Sequence, residues 1–194
     1  MPPSHPLTGL VLDWYPAAAR DLPWRRAGTT PWGVLVSEFM LQQTPVARVE
    51  PIWLDWMARW PVPSALAAAP RADVLRAWGK LGYPRRALRL HEAAGIIAER
   101  HGDVVPADPD ALEALPGVGS YTARAVAAFG YGRRCPVVDT NVRRVVARAV
   151  HGSGDAGPAR TAADLADVEP LLPADDESAA VVSAGLMELG AVIC

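Results

Sequence analysis

Cysteine is scarce in this chain: two in 194 residues, Cys135 and Cys194. That is too few for the disulfide framework of a small secreted domain, and a reducing, intracellular setting follows as the expectation. Lysine is scarcer, with Lys80 alone among 19 basic side chains. Chemistry that forms a Schiff base through a side-chain amine therefore has one candidate. No uninterrupted apolar run approaches the roughly 20 residues that span a bilayer, and Asp13 breaks Leu10-Val11-Leu12 before a leader could form. The chain reads as soluble, untargeted and cytoplasmic, with no membrane partner. Strand-length alternation, low-complexity tracts and solenoid repeats are missing too. What is present is a 51% apolar composition, which excludes a disordered chain and suffices for one or two compact domains.

The net charge of −2 hides a segregation. Residues 1–150 hold 18 basic and 13 acidic side chains, an excess of five positive charges, whereas residues 151–194 hold one basic and eight acidic, an excess of seven negative. Two windows are more basic still: 76–89 carries five cations and no acid, and 133–148 carries five against Asp139 alone. Each window reads either as a face for a polyanion or as a solvated helix face, and composition leaves both open.

The pattern is helical almost throughout, which predicts an all-α fold. Thr44-Pro45 reads as a cap followed by proline at the first helical position, and Val46, Val49, Trp53, Trp56, Met57 and Trp60 then recur at the helical period. Further helices are predicted over 71–78, stopped by Gly79, and over 85–100, closed by Gly102, with Leu90, Ala94, Ile97 and Ala98 facing inward. A short helix at 110–115 precedes one at 120–131. From Asn141 the face Val142, Val145, Val146 and Ala149 points inward, 151–158 is a glycine-rich loop, and two helices follow at 164–172 and 178–192.

Three motifs carry chemistry. Leu115-Pro-Gly-Val-Gly-Ser-Tyr-Thr-Ala123 lies between two helices; its glycines permit a tight turn and a close backbone approach, and amides at the start of the second helix suit a phosphate. This is the helix-hairpin-helix pattern, which grips a DNA backbone without reading sequence; the alternative is an ordinary two-helix corner. Asp139, in Val137-Val-Asp-Thr-Asn-Val142, is placed to cap the arginine-rich helix. A carboxylate accepting helix-terminal N–H bonds is held as an anion, which suits a group that stabilises a cation. Glu38, in Ser37-Glu-Phe-Met-Leu-Gln-Gln-Thr44, sits among apolar neighbours. Desolvation there favours the protonated form, and a protonated glutamate paired with an ionised aspartate is what glycosidic cleavage requires. An arbitrary helical glutamate is ordinarily just solvated.

Together with Leu22-Pro-Trp24, Trp78-Gly-Lys-Leu-Gly-Tyr83 and Met187-Glu-Leu-Gly-Ala-Val-Ile-Cys194, these motifs resemble the adenine DNA glycosylases, the MutY family of the endonuclease III superfamily, in order from about Val11 to the last residue. The resemblance implies a two-lobed all-α helix-hairpin-helix fold: a six-helix barrel over 25–134, and a second lobe from 1–24 plus 135–194, with DNA between them. It implies a monofunctional glycosylase that acts as a monomer on double-stranded DNA and excises adenine opposite 8-oxoguanine or guanine after flipping it out. Glu38 would protonate adenine N7 and later help activate water. Asp139 would stabilise the oxocarbenium-like sugar, supported by Tyr121 and Asn141. Gln42, Gln43 and Tyr83 would probe the duplex, with Gly117, Val118, Gly119 and Ser120 on the phosphates. Tyr83 could equally be a core aromatic, and Pro84 departs from the tyrosine common after it.

Bifunctional relatives carry a lysine where Tyr121 stands, so the resemblance implies base release without strand cleavage. It also implies a [4Fe-4S] cluster in the intact family member, held by Cys-x6-Cys-x2-Cys-x5-Cys. Cys194 matches the first ligand and the other three are absent, so the chain reads as a fragment in which the cluster is not assembled and the C-terminal domain is missing. Cys135 reads as a buried apolar thiol. The nearest alternative is a T·G mismatch thymine glycosylase of the same superfamily, against which Gln42-Gln43 speaks. A non-catalytic DNA-binding fragment and a purely structural helical adaptor are the alternatives from other classes.

Overall fold

A computed structural model describes residues 5–194. Among these residues there are eleven α-helices, two short 3-10 helices and no strand. The helices are α1 (Pro6–Ala18), α2 (Pro31–Leu41), α3 (Val46–Arg59), α4 (Pro63–Ala67), α5 (Arg71–Trp78) and α6 (Arg85–Arg100). They continue with α7 (Pro109–Glu113), α8 (Ser120–Tyr131), α9 (Thr140–Ala149), α10 (Thr161–Val168) and α11 (Asp176–Val192). None is long and apolar enough to cross a membrane. The chain divides into two compact units, Asp21–Val126 and the described residues up to Arg20 joined by Ala127–Cys194.

The core of the first unit is rich in tryptophan because α3 turns Val49, Trp53, Trp56 and, just past its end, Trp60 inward. Trp56 meets Trp60 and Trp78 edge to face at 4.9 and 5.5 Å, geometry worth about 0.5–1.5 kcal/mol per pair beyond burial. Two other indoles turn inward but keep a polar partner: Trp32 donates to the Trp60 carbonyl at 2.9 Å and Trp53 to the Gly33 carbonyl at 2.8 Å. Thr44 is not the cap of α3, contrary to expectation. Pro45 holds the cap position without a side-chain bond, and the Thr44 hydroxyl donates instead to the Leu81 carbonyl at 3.1 Å. On α6, Ala87 and Ala93 join Leu90, Ala94 and Ile97 in the core, while Ala98 is half-buried.

In the second unit α1, α9 and α11 enclose Val11, Val142, Val145, Val182 and Leu186, sealed by Val168 and Leu171. The inward face of α9 ends on Ala147; Ala149, expected inside, is exposed. Glu188 is fully buried on α11 and receives both Nε and Nη2 of Arg20, at 2.5 and 3.0 Å. Four of the five arginines of the second basic window bond within this unit. Arg143 donates to Asp164 at 3.0 Å and to the carbonyls of Ala156, Gly157 and Pro158. Arg134 binds Glu169 and the Pro173 carbonyl, and Arg148 reaches the Cys194 carbonyl. Most of that window therefore ties loops to helices, and two of its five charges are paired with carboxylates.

Candidate active site

In the unit 21–126, α2 starts cleanly because Pro31 occupies its first position and the Thr30 hydroxyl accepts from Gly33 N at 3.2 Å. Every residue from Trp32 to Met40 is buried. Glu38 is therefore a buried residue, 7% exposed, on a helix whose neighbouring Leu35, Phe39 and Met40 are also buried. Burial of that degree is exceptional for a glutamate and requires compensation or a function.

The helix-hairpin-helix turn lies between α7 and α8. Asp108 caps α7 through Ala111 N, and backbone bonds from Leu115 N to Leu112 O and from Val118 N to Leu115 O close the corner. Leu115 and Val118 are buried pegs, and Gly117 takes φ +82°, the left-handed region that favours glycine. A Cβ there would stand 2.9 Å from both Phe39 Cε1 and Arg89 Cβ. The turn is thus packed against the residue next to Glu38 and against an exposed arginine of α6. Gly119 is exposed, Ser120 opens α8, and Tyr121 is half-buried in its first turn.

The corners bearing Gln43 and Tyr83 share a backbone property that nothing in their sequence announces. Both non-glycine residues have positive φ, +55° and +47°. Gln43 is exposed just past the end of α2, where Gln42 is half-buried, and Tyr83 is 64% exposed ahead of α6, which rules out a core role for its ring. Lys80, Arg85 and Arg89 are exposed around them. Arg86 is not: it turns inward toward both corners.

In the other unit Asp139 caps α9. Its Oδ1 accepts from Val142 N at 2.8 Å and its Oδ2 from Asn141 Nδ2 at 2.7 Å. Asn141 is fixed in turn by Arg144, whose Nη2 donates to Asn141 Oδ1 at 2.5 Å and to the Gly190 carbonyl at 2.9 Å. With Oδ1 engaged as acceptor, the amide must present its N–H to the aspartate. Arg144 and Gly190 take part in this arrangement although their sequence positions gave no sign of it. Cys194 is exposed and Cys135 buried. Among the described residues no group of three or more His, Cys, Asp or Glu could hold a metal, and two thiols do not meet a four-thiolate cluster. The donors present in this stretch therefore do not fit the group.

An all-helical fold with a glycine hairpin packed on Phe39, the sequence neighbour of a buried glutamate, and an aspartate capping a helix of a second unit, defines a class of helix-hairpin-helix protein. Residues 36–170 match the family described as HhH-GPD superfamily base excision DNA repair protein, and the chain belongs to that family. It is 64% identical over 192 residues, 99% of its length, to an adenine DNA glycosylase of Mycobacterium tuberculosis (strain ATCC 25618 / H37Rv), and 65% identical over 184 residues, 95% of its length, to one of Mycolicibacterium smegmatis (strain ATCC 700084 / mc(2)155). It spans 63% and 62% of those relatives. A solved thermostable thymine-DNA glycosylase superposes with a TM-score of 0.85 at 26% identity, over 96% of this chain and 85% of that one.

Proposed function

We propose that the chain is the helical portion of a monofunctional adenine DNA glycosylase. It acts as a monomer on double-stranded DNA, at the nucleoid in the cytoplasm, and hydrolyses the N-glycosidic bond of adenine opposite 8-oxoguanine or guanine. The observation that carries this reading is the helix-hairpin-helix turn packed on α2, the helix that buries Glu38: Phe39, next in sequence to Glu38, fills the space beside Gly117. A corner suited to phosphate is thereby joined to a helix that carries a buried carboxyl.

In this mechanism the flipped adenine receives the Glu38 proton at N7, and the C1′–N9 bond breaks with its electron pair leaving on the base. The sugar becomes oxocarbenium-like, and Asp139 stabilises that cation while Asn141 keeps the carboxylate oriented. Tyr121 supports the carboxylates by hydrogen bonding. Water then adds at C1′ and returns a proton to Glu38. Gly117 to Ser120 hold phosphates, and Gln42, Gln43 and Tyr83 probe the duplex beside the vacated position. We further propose 25–134 as the barrel lobe and 1–24 plus 135–194 as the cluster lobe, with Cys194 as first cluster ligand of the intact protein. No step passes through the cluster.

The test is free-base release from duplexes holding A·8-oxoguanine, A·G or T·G. Adenine release that disappears in Glu38→Gln and Asp139→Asn, with duplex affinity kept, supports the reading. Release of thymine alone would transfer it to the thymine class, which the likeness in fold also suits. Affinity with no base release would leave a binding fragment.

A further inference from the structure

Arg86 lies in the first basic window, where its charge suggests a phosphate contact, yet its side chain is spent on the protein. Nη1 donates to the carbonyls of Phe39 and Met40 at 2.9 and 3.2 Å and to that of Gln42. Nη2 donates to Thr44 Oγ1 at 3.0 Å and to the carbonyls of Leu81 and Gly82 at 3.1 and 3.2 Å. The first set closes the C-terminal end of α2 immediately before Gln43. The second set fixes the two residues leading to Tyr83. The guanidinium also lies between two rings, with Cζ 5.3 Å from the centroid of Trp78 and 5.5 Å from that of Tyr83.

Capping α2 would need only the first set, since a cation near a helix C-terminus already satisfies its last carbonyls. The second set and the ring stacking serve the other corner. Nε is buried without a hydrogen-bond partner, and burial pushes the guanidinium below its ordinary pKa. An arginine held at such cost, bridging two left-handed non-glycine corners some forty positions apart in sequence, is placed for more than solubility.

We infer that Arg86 is a positioning residue: one guanidinium holds the corners of Gln43 and Tyr83 in a single relation, so that both side chains meet the duplex as one probe. This rests on the glycosylase reading for its DNA partner. Its coupling part stands on the protein alone.

The experiment uses the 194-residue chain with Arg86→Lys, Thr44→Val and, as a destabilised comparator, Leu66→Ala, whose side chain is fully buried on α4. Amide exchange without DNA is followed at 42–44 and 81–83, and affinity is compared for an A·8-oxoguanine duplex and a paired A·T duplex of equal length. An ammonium cannot span six acceptors, so Arg86→Lys is expected to open both segments together. The preference for the mispair is expected to fall about 10- to 100-fold, as for loss of one charge-assisted hydrogen bond. Paired-duplex affinity should stay within about twofold, the usual range for a site not contacted. Leu66→Ala should lower the melting temperature and leave the preference alone. If Arg86→Lys does not fold, Thr44→Val carries the test, with an expected loss of about 10- to 100-fold for the one charge-assisted bond it removes.

Opening of one segment only, an unchanged preference, or an equal loss in Leu66→Ala would overturn the inference. A wild-type chain with no mispair preference would instead refute the glycosylase reading. Exchange would then decide the coupling alone, upheld by joint opening and overturned by separate opening.

Discussion

Gly190 tests whether packing between α9 and α11 sets the Asp139 carboxylate. A Cβ at this position would stand 2.6 Å from Asn141 C and 2.7 Å from Asn141 Cβ. Ordinary carbon contacts lie near 3.5–4.0 Å, so in Gly190→Ala roughly 1 Å must come from moving one helix against the other. Main chain cannot rotate away as a side chain can. Overpacking of this kind costs about 1–3 kcal/mol, which for a chain of this length lowers the melting temperature by about 2–12 °C. The displaced residue is Asn141, whose amide bonds Asp139. Losing that charge-assisted bond should slow single-turnover adenine release about 10- to 100-fold at a temperature where the variant remains folded. Gly185→Ala is the control: on the same helix, its Cβ would meet Val11 Cγ1 and Tyr15 Cβ. It should destabilise comparably and leave the rate unchanged. Wild-type release by Gly190→Ala, or an equal slowing by Gly185→Ala, would refute the reasoning.

Four further outcomes are expected. Gly117→Ala combines a left-handed φ, costing about 1–2 kcal/mol for a residue with a Cβ, with the close approach to Phe39, and duplex affinity should fall alike for every sequence when measured by polarisation. Glu188→Gln leaves Arg20 without its buried carboxylate, and because Arg20 is partly exposed the loss in urea unfolding should be about 2–3 kcal/mol, below the range for a fully buried pair. The Asp175 carboxyl, held below its ordinary value chiefly by the Ser178 backbone N–H, contributes its stabilisation of α11 fully above the unfolded carboxylate value of about 3.9. That contribution disappears as pH falls through the lower folded value, so Asp175→Asn should show a urea midpoint that varies less with acid than the wild type. Finally, with tyrosine at 121 and one lysine in the chain, borohydride should trap no covalent DNA adduct, and a trapped adduct would contradict the monofunctional mechanism.

Helix positions were legible because apolar residues recur at the helical period and because glycine and proline punctuate the chain; 71–78, 85–100 and 120–131 fall as expected. The hairpin was legible for the same local reason. Thr44 misled because a threonine before proline looks like a cap, whereas its hydroxyl is taken by Leu81, thirty-seven positions away. Ala149 misled because the periodic face of α9 ends one turn earlier, where the chain leaves the core. The arginines misled most. Composition counts Arg86, Arg134 and Arg143 as surface charge, but each finds carbonyls brought near only by folding. Nothing local encodes such partners.

The same distinction explains how two strained corners persist. Gln43 and Tyr83 each take a conformation costing about 1–2 kcal/mol for a residue with a side chain, where glycine would remove the cost. Glycine would also remove the amide and the phenol ring. Charge-assisted hydrogen bonds contribute about 1.5–3 kcal/mol each, so two from the four terminal N–H groups of Arg86, which share six acceptors, are of the size of both penalties. Strain is thereby retained at residues that keep an exposed side chain, and relieved by a neighbour that reaches both corners. A half-buried arginine such as Arg86 is on this account better read by the carbonyls it reaches than by the charge it adds.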